Sequence, residues 1–364
     1  MSVIELARAE IRALVPYSSA RMEAAGGDVL LNANESPWAP FGDEELDCHR
    51  YPDPQPAALL EQLAALYGVR AGQVLVGRGS DEAIDLLVRA FCRAGQDAIL
   101  VQPPTFGMYA VCARIQHAAV VEVPLADGFA LDVDAVLAAL TPTVKLVFVC
   151  APNNPSGAGV ALEQVERLAR QLAGRALLVV DEAYAEFADG VSAATLLDRY
   201  EHLVVLRTLS KAWALAGARI GCLLADPAVV ALLRRILPPY PVPRPCLAAA
   251  LRALSAAGQA AARARIDTVR VERSRMAGAL RGLPGVRAVL PSQANFLAVR
   301  FDDADGAFRR LLGAGIVVRD VRRYAGLHDA LRITMGTPAQ NDRVLAVLAE
   351  PVTGGPRLSK DAPA

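Results

Sequence analysis

The chain has 364 residues, of which 54% are hydrophobic, 5% aromatic and 21% charged, and its 38 basic and 38 acidic residues give a formal net charge of zero. This length allows two domains, and the charge balance argues against a protein that binds nucleic acid. Because neither a signal-peptide pattern at the start nor an apolar run of about 18 residues is found, we expect a cytosolic protein.

The six cysteines give little indication of metal or disulfide chemistry. No Cys-x-x-Cys pair occurs, and Cys48-His49 is the only place where a histidine adjoins a cysteine. Several cysteines lie within apolar runs, where a free thiol behaves as a small buried hydrophobe. We therefore expect neither a metal site nor a disulfide framework.

In chain order, we expect residues 1–45 to form an arm that packs with a smaller domain or with a partner subunit. Residues 46–282 alternate apolar runs of strand length with amphipathic stretches such as Asp81–Arg93 and Leu162–Leu172. The predicted strands are Val74–Val76, Ala98–Gln102, Val120–Val123, Leu146–Cys150, Leu177–Val180, Leu203–Arg207 and Ile220–Leu224. This alternation predicts a large α/β domain whose mostly parallel sheet is flanked by helices, with ligands at the carboxyl ends of its strands.

A proline-rich break at residues 238–245 precedes a long helical pattern from about Leu247 to Arg281. After Pro284-Gly285 the pattern predicts a smaller α+β domain over residues 283–350. Its predicted strands are Val286–Leu290, Asn295–Arg300, Ile316–Arg319 and Leu331–Met335. Residues 351–364 are rich in Pro, Gly and polar residues and are expected to be disordered.

Lysine is scarce in this chain. Of the 38 basic residues, 35 are arginine, and the three lysines are Lys145, Lys211 and Lys360. A lysine amine can lose its proton and condense with an aldehyde, whereas a guanidinium cannot. Lys211 follows a predicted strand, in a segment with the hydroxyls of Thr208 and Ser210 and with Arg219 downstream. Lys211 is therefore the candidate for covalent chemistry.

Three further motifs follow predicted strands. In Gly77–Glu82, a glycine turn opens a helix, and we assign the N–H groups of Gly79, Ser80 and Asp81 and the Ser80 hydroxyl to an anion, with the carboxylates turned away. In Ala151–Gly157, Asn154 presents an amide from a tight turn. Asp181 ends an apolar strand and needs a cationic or hydrogen-bonding partner if it is buried. Each motif alone also fits a structural turn or a helix cap, but their joint order is more specific.

With these residues the chain resembles the fold-type I pyridoxal-phosphate aminotransferases, and within them the histidinol-phosphate aminotransferases. The similarity extends from Pro16–Arg21 to Leu331–Thr337. It includes Leu31–Glu35, Arg50–Pro52, Pro104–Tyr109, Ala294–Phe296 and the four motifs above.

The resemblance implies that Lys211 binds pyridoxal 5'-phosphate covalently and then acts as the base that moves a proton. It implies that Asp181 pairs with the ring nitrogen, that Asn154 and Tyr184 contact the phenolic oxygen, and that Phe106 stacks on the ring. Relatives frequently carry Tyr in place of Phe106, so no hydroxyl is expected there. The cofactor phosphate would be bound by Gly79, Ser80, Asp81, Thr208, Ser210 and Arg219.

The resemblance also implies a homodimer with shared active sites, in which Tyr51 contacts the neighbour's cofactor phosphate and Tyr17 lies near the neighbour's substrate. Arg332 matches the arginine that binds the substrate carboxylate, and Arg319 resembles the one placed at the substrate phosphate. Asn34 is a further expected substrate contact. The implied reaction is transamination between histidinol phosphate and 2-oxoglutarate.

Alternatives remain on the same scaffold. An aromatic amino-acid aminotransferase would need an apolar slot and one carboxylate-binding arginine. A phosphothreonine-type decarboxylase would release carbon dioxide without an amino acceptor. A regulatory module joined to a DNA-binding head is disfavoured, because the aminotransferase motifs begin by Tyr17 and the net charge is zero.

Overall fold

The computed structural model describes residues 2–18, 29–43 and 46–350. The chain divides into two compact units: Met1–Arg270 with Pro291–Asn295, and Val271–Leu290 with Phe296–Ala364. No helix in the described ranges is long and apolar enough to cross a membrane. The predicted disordered tail, residues 351–364, lies outside the described residues.

The first unit is an α/β structure. Its strands are β1 (Val74–Gly77), β2 (Ala98–Val101), β3 (Ala119–Glu122), β4 (Val144–Cys150), β5 (Leu177–Asp181), β6 (Leu203–Thr208) and β7 (Gly221–Ala225). Its α-helices are α1 (Ala9–Ala13), α2 (Ala57–Tyr67), α3 (Ser80–Phe91), α4 (Met108–Ile115), α5 (Val133–Ala138), α6 (Leu162–Leu172), α7 (Pro227–Arg234) and α8 (Arg244–Leu254). Short 3-10 helices include Val3–Leu6, Ala71–Gln73, Asp127–Phe129, Ala185–Phe187, Ala193–Leu196 and Ala216–Ala218.

The seven strands described for this unit form one sheet in the order β1-β7-β6-β5-β4-β2-β3. β7 is antiparallel to both β1 and β6, and the other neighbouring pairs are parallel. The central strands are buried along their length because α3 and other helices pack their apolar residues against the sheet. The predicted fold class, a mostly parallel sheet flanked by helices with a smaller α+β unit, is confirmed.

The second unit contains an antiparallel sheet in the order β10-β11-β9-β8 among its described residues. The strands are β8 (Val286–Val289), β9 (Phe296–Phe301), β10 (Arg319–Asp320) and β11 (Ala330–Thr334), with helices α10 (Ala304–Gly313) and α11 (Pro338–Ala349). The strand expected over Ile316–Arg319 is wrong in its bounds. Only Arg319 and Asp320 pair with β11, and the apolar residues before them form no ladder.

The predicted long helix from Leu247 to Arg281 is two helices. α8 ends at Leu254, and α9 (Ala256–Arg281) begins after Ser255. Ser255 has an extended backbone, and its Oγ accepts a hydrogen bond from the Gly258 amide at 3.2 Å, so it caps the new helix. The apolar periodicity continues across the break, which is why the sequence pattern does not show it.

The division between the units falls inside α9, at residues 270/271. The predicted boundary after residue 282 rests on Pro284-Gly285, where the helix ends. The last turns of α9 pack with the second unit, as the 2.8 Å hydrogen bond from Asn341 Nδ2 to Glu272 illustrates. Residues 3–8 of the predicted arm belong to the first unit, where the Arg8 amide donates to Ala90 O.

Candidate active site

The sheet topology places the four motifs at one edge. β4, β5 and β6 are parallel neighbours, so the residues that follow them emerge on the same side. β1 runs in the same direction, and antiparallel β7 begins at that edge. A cavity of about 130 Å³ lies there. Its lining residues are Gly79, Ser80, Asp81, Phe106, Cys150, Asn154, Asp181, Ala183, Tyr184, Thr208, Ser210, Lys211, Ala216 and Arg219.

The turn between β1 and α3 can approach an anion closely. Gly79 has φ 87°, which favours glycine, and a Cβ there would lie 2.9 Å from Arg219 Nη2. A Cβ on Gly221, the first residue of β7, would lie 2.6 Å from the Ser80 amide nitrogen. Both glycines therefore keep the start of α3 next to Arg219. Amides at a helix start and a guanidinium together suit a phosphate.

The two carboxylates of this turn behave differently. Glu82 accepts hydrogen bonds from the backbone and side chain of Arg78, which turns it away from the cavity. The Asp81 carboxylate lies 3.4 Å from Arg219 Nη2 and is not turned away as expected. Opposite charge accounts for this contact, although both side chains are about half exposed and the pair is weak.

Asp181 is a buried carboxylate, 2% exposed, at the end of β5. It accepts hydrogen bonds from the Tyr109 hydroxyl at 2.7 Å and from the Ala183 amide at 3.1 Å. Burial raises the pKa of Asp181 to about 6, and the two hydrogen bonds oppose that rise. A cation placed against this carboxylate would favour its ionised form.

The sequence analysis did not identify Tyr109, whose hydroxyl donates a hydrogen bond to Asp181 although Tyr109 does not line the cavity. Its ring stacks on Phe148 at a centroid distance of 4.6 Å and meets the Phe106 ring edge-on at 5.6 Å. Tyr109 and Asp181 are 72 residues apart in the sequence, so no local pattern links them. Cys150, Ala183 and Ala216 are the other lining residues that sequence reasoning did not name.

The segment after β6 presents Lys211 to the cavity. Thr208 Oγ1 lies 3.0 Å from Ser210 Oγ and accepts a hydrogen bond from the Ser210 amide. Lys211 Nζ lies 5.9 Å from the centroid of the Tyr184 ring. Lys145 has a structural setting instead: its Nζ donates to Pro142 O at 2.7 Å. Lys360 lies outside the described residues.

The asparagine turn after β4 is held by Asn153, which is buried and donates to Pro104 O and Ser156 Oγ. Asn154, the residue predicted to face the ligand, lines the cavity.

The two predicted substrate arginines lie side by side in the second unit. Arg319 and Arg332 are cross-strand partners in the β10–β11 ladder. Both line a cavity of about 280 Å³ that also includes Arg343, Asn341 and Gln340. Like charges directly opposite each other in a sheet repel, so this arrangement favours an anionic ligand.

The structure does not bring Tyr51, Tyr17 or Asn34 to the cavity that contains Lys211. Tyr51 stacks on Tyr240 at a centroid distance of 4.4 Å and lines another cavity together with Asn34. Tyr17 is exposed. Their roles stay predictions that concern a neighbouring subunit or substrate.

Comparisons with known proteins identify the family of the chain. The sequence model of the family "Aminotransferase class I and II" matches residues 32–348, and the chain belongs to this family. It is 59% identical to a histidinol-phosphate aminotransferase of Xanthomonas axonopodis pv. citri, over 95% of this chain and 97% of the relative. It is 57% identical to one of Stenotrophomonas maltophilia, over 95% and 96%. The predicted resemblance is thus confirmed.

Among solved structures, the chain is similar to histidinol-phosphate aminotransferase from Sinorhizobium meliloti in complex with pyridoxal-5'-phosphate. The TM-score is 0.76, with 31% identity over 83% of each chain.

The cavity fits the cofactor named for that structure. Asp181 is buried with a raised pKa and offers a carboxylate for a protonated ring nitrogen. The glycine-lined turn leaves room that a Cβ at Gly79 would fill, next to Arg219. Lys211, the one lysine among the lining residues, belongs to the same cavity.

Proposed function

We propose that this protein transfers the amino group of L-histidinol phosphate to 2-oxoglutarate and yields imidazole acetol phosphate and glutamate, a step of histidine biosynthesis. The observation that carries the enzyme class is the cavity in which Lys211, Asp181 and the glycine turn converge. The identities of 57–59% to histidinol-phosphate aminotransferases support the substrate. The same proposal places the enzyme in the cytoplasm.

Pyridoxal 5'-phosphate is the cofactor, and when bound it withdraws electrons from the substrate Cα–H bond. Asp181 would place a negative charge beside the ring nitrogen. Asn154 and Tyr184 would donate to the phenolic oxygen, and Phe106 would cover one ring face. The phosphate would be bound by the amides of Gly79, Ser80 and Asp81 and by the side chains of Ser80, Thr208, Ser210 and Arg219.

Lys211 has two roles in this proposal. Its amine would hold the cofactor in the resting enzyme by condensing with the cofactor aldehyde. The free amine would then move a proton from the substrate Cα to C4′ of the cofactor. Tyr184 lies near enough to Lys211 to keep the amine over the cavity.

Arg319 and Arg332 supply the anion specificity. Histidinol phosphate carries a phosphate, and glutamate carries two carboxylates, so both amino donors present anions that a pair of guanidinium groups can bind bidentately. The cross-strand position of the two arginines supports a shared anion site. Asn34 and Tyr17 are further proposed substrate contacts.

The proposal includes a homodimer with shared active sites. The N-terminal part of the first unit exposes several large apolar side chains within one stretch of the sequence, and concentrated apolar surface favours an interface. They are Val15, Tyr17, Val29, Leu31, Trp38 and Phe41. We expect a second copy of the chain to cover them, with Tyr51 reaching the neighbour's cofactor phosphate.

A single half-reaction tests the proposal. The purified enzyme with bound cofactor is mixed with histidinol phosphate, histidinol, phenylalanine or phosphothreonine in the absence of a keto acid. We expect rapid loss of the visible absorbance of the bound cofactor with histidinol phosphate, and slow loss with histidinol and phenylalanine.

Faster loss with phenylalanine would instead establish an aromatic amino-acid aminotransferase. Release of carbon dioxide from phosphothreonine with unchanged absorbance would establish a decarboxylase.

A further inference from the structure

A buried group of charged residues lies behind the cavity and plays no part in the chemistry described so far. We define the Arg207 cluster as Arg207, Glu182, Glu186 and Trp213. Arg207 precedes Thr208 in β6, and side chains alternate between the two faces of a strand. Glu182 follows Asp181 directly, Glu186 lies two residues after Tyr184, and Trp213 lies two residues after Lys211. The cluster therefore borders the Asp181–Tyr184 segment and the Lys211 segment.

Its contacts are short and largely removed from solvent. Arg207 Nη1 lies 2.6 Å from Glu182 Oε2, and Arg207 Nη2 lies 2.8 Å from Glu186 Oε1. The three side chains are at most 10% exposed. Glu186 Oε1 also accepts a hydrogen bond from Trp213 Nε1 at 3.4 Å. Glu186 thus contacts both the residue that precedes the Lys211 segment and a residue within it.

The electrostatics explain why the cluster holds together. Burial alone would lower the pKa of Arg207, but Glu186, Tyr67 and Glu182 outweigh it and raise the pKa well above its usual range. The Tyr67 ring centroid lies 4.5 Å from the guanidinium carbon. A buried ion pair is seldom the most stabilising use of core positions, whereas it does select one arrangement of the groups that it joins. The arrangement selected here joins the ends of β5 and β6.

The Lys211 segment needs such support. Ala214, next to Trp213, has φ 57°, a backbone conformation that non-glycine residues rarely adopt. Strain of this kind persists only where the surrounding structure fixes the backbone. The Ala214 amide donates to Lys211 O at 3.3 Å and the Leu215 amide donates to Leu209 O at 3.0 Å. Next to the strained residue, the bond from Trp213 to Glu186 ties this segment to the cluster.

We propose that Glu186 is a positioning residue that, through Arg207 and Trp213, sets the place of the Lys211 amine relative to Asp181. The inference rests on the proposed function, because it assigns that cavity to the cofactor. Glu186 itself does not line the cavity.

The test uses Glu186→Ala in a Trp38→Phe background, so that Trp213 is the only tryptophan left. In the cofactor-free protein, we expect the Trp213 emission to shift to longer wavelength. In the enzyme with cofactor, we expect the pH midpoint of the visible absorbance to move by about one unit, because that midpoint depends on the surroundings of Lys211. Glu186→Gln keeps an oxygen acceptor for Trp213 and should leave the emission near that of the parent.

Glu272→Ala is the matched control, because Glu272 is a similarly buried carboxylate in the second unit, held by Arg275 and Asn341. It should leave both signals unchanged. If Glu186→Ala and Glu272→Ala lose stability alike and neither moves the emission or the midpoint, Glu186 is only structural and the proposal is overturned.

If Glu186→Ala does not fold, the Trp213→Phe variant tests the proposal instead. It removes the hydrogen-bond donor to Glu186 and keeps an aromatic ring. An unchanged midpoint in Trp213→Phe then overturns the proposal. Failure of the parent to bind cofactor would contradict the proposed function instead, and the emission measurement would still test Glu186.

Discussion

Asp181 is a buried carboxylate that destabilises the folded protein when it is ionised. Burial raises its pKa to about 6 from the ordinary 3.8, so the folded protein without cofactor binds the proton more tightly than the unfolded chain does. Between these two pH values the stability that Asp181 contributes falls as the pH rises, because the unfolded chain ionises first. Above pH 6 the full cost remains, at most about 3 kcal/mol.

We therefore expect cofactor-free Asp181→Asn to be more stable than cofactor-free wild type above pH 6, by about 1–3 kcal/mol. Below pH 4 the two proteins should converge, because wild-type Asp181 is then protonated in both states. Urea unfolding over this pH range measures the difference. A constant difference at every pH would show that Asp181 does not titrate as its burial requires. With cofactor bound, the order should reverse, since the substitution removes the partner of the ring nitrogen.

At the scale of elements, Ser255 separates two helices that share one apolar pattern. Its Oγ accepts from the Gly258 amide and donates to Arg252 O at 2.8 Å, so it contacts the end of α8 and the start of α9. Ser255→Ala should destabilise the protein by about 1 kcal/mol, which is the usual loss for a helix cap. Thermal unfolding of Ser255→Asp is the comparison, because Asp retains the acceptor. Equal melting temperatures for the Ala, Asp and wild-type proteins would show that the cap contributes nothing.

The β10–β11 ladder places Arg319 opposite Arg332. Arg319 is exposed, so Arg319→Ala should lower kcat/KM for histidinol phosphate by about 1.5–3 kcal/mol of transition-state stabilisation, the usual contribution of a hydrogen bond to a charged group. Steady-state kinetics with histidinol phosphate measures this loss.

Arg319→Lys keeps the positive charge but not the planar fork, so it should recover part of the activity. Unchanged activity of Arg319→Ala on the phosphorylated substrate would remove Arg319 from the substrate site.

The sequence predicts most of the elements because their signals are local. The strands of the large sheet are found within a few residues, since continuous apolar runs are long enough to identify, and Leu162–Leu172 is found with its observed bounds. The sequence pattern does not predict the two-residue strand β10, which is defined only by its pairing with β11. It also does not predict the break at Ser255, which depends on a single helix cap.

The residues that line the cavity follow from motifs at strand ends. Tyr109 and Glu186 do not, because each acts through a contact with a residue distant in sequence: Tyr109 with Asp181, and Glu186 with Arg207. Residues that support a site without lining its cavity belong to no recognisable catalytic motif, so only the structure identifies them.

At the scale of the whole molecule, the proposed dimer gives Tyr51 a role that a single chain does not explain. Tyr51 is half exposed and stacks on Tyr240, and it is absent from the lining of the cavity that contains Lys211. If it acts on the neighbour's site, every active site takes Lys211 from one chain and Tyr51 from the other. Two inactive variants can then restore each other.

We expect Lys211→Ala and Tyr51→Ala to have little activity alone and to recover activity when they are unfolded and refolded together. Random pairing makes about half of the dimers mixed, and each mixed dimer holds one site with both native residues. The mixture should therefore reach about one quarter of wild-type activity. Lys211→Ala refolded with an equal amount of wild type is the control for refolding yield and should retain about half, whether or not mixed dimers form. If Tyr51 acts within its own chain, no site in the mixture of the two variants is complete, and activity stays at the level of the separate variants.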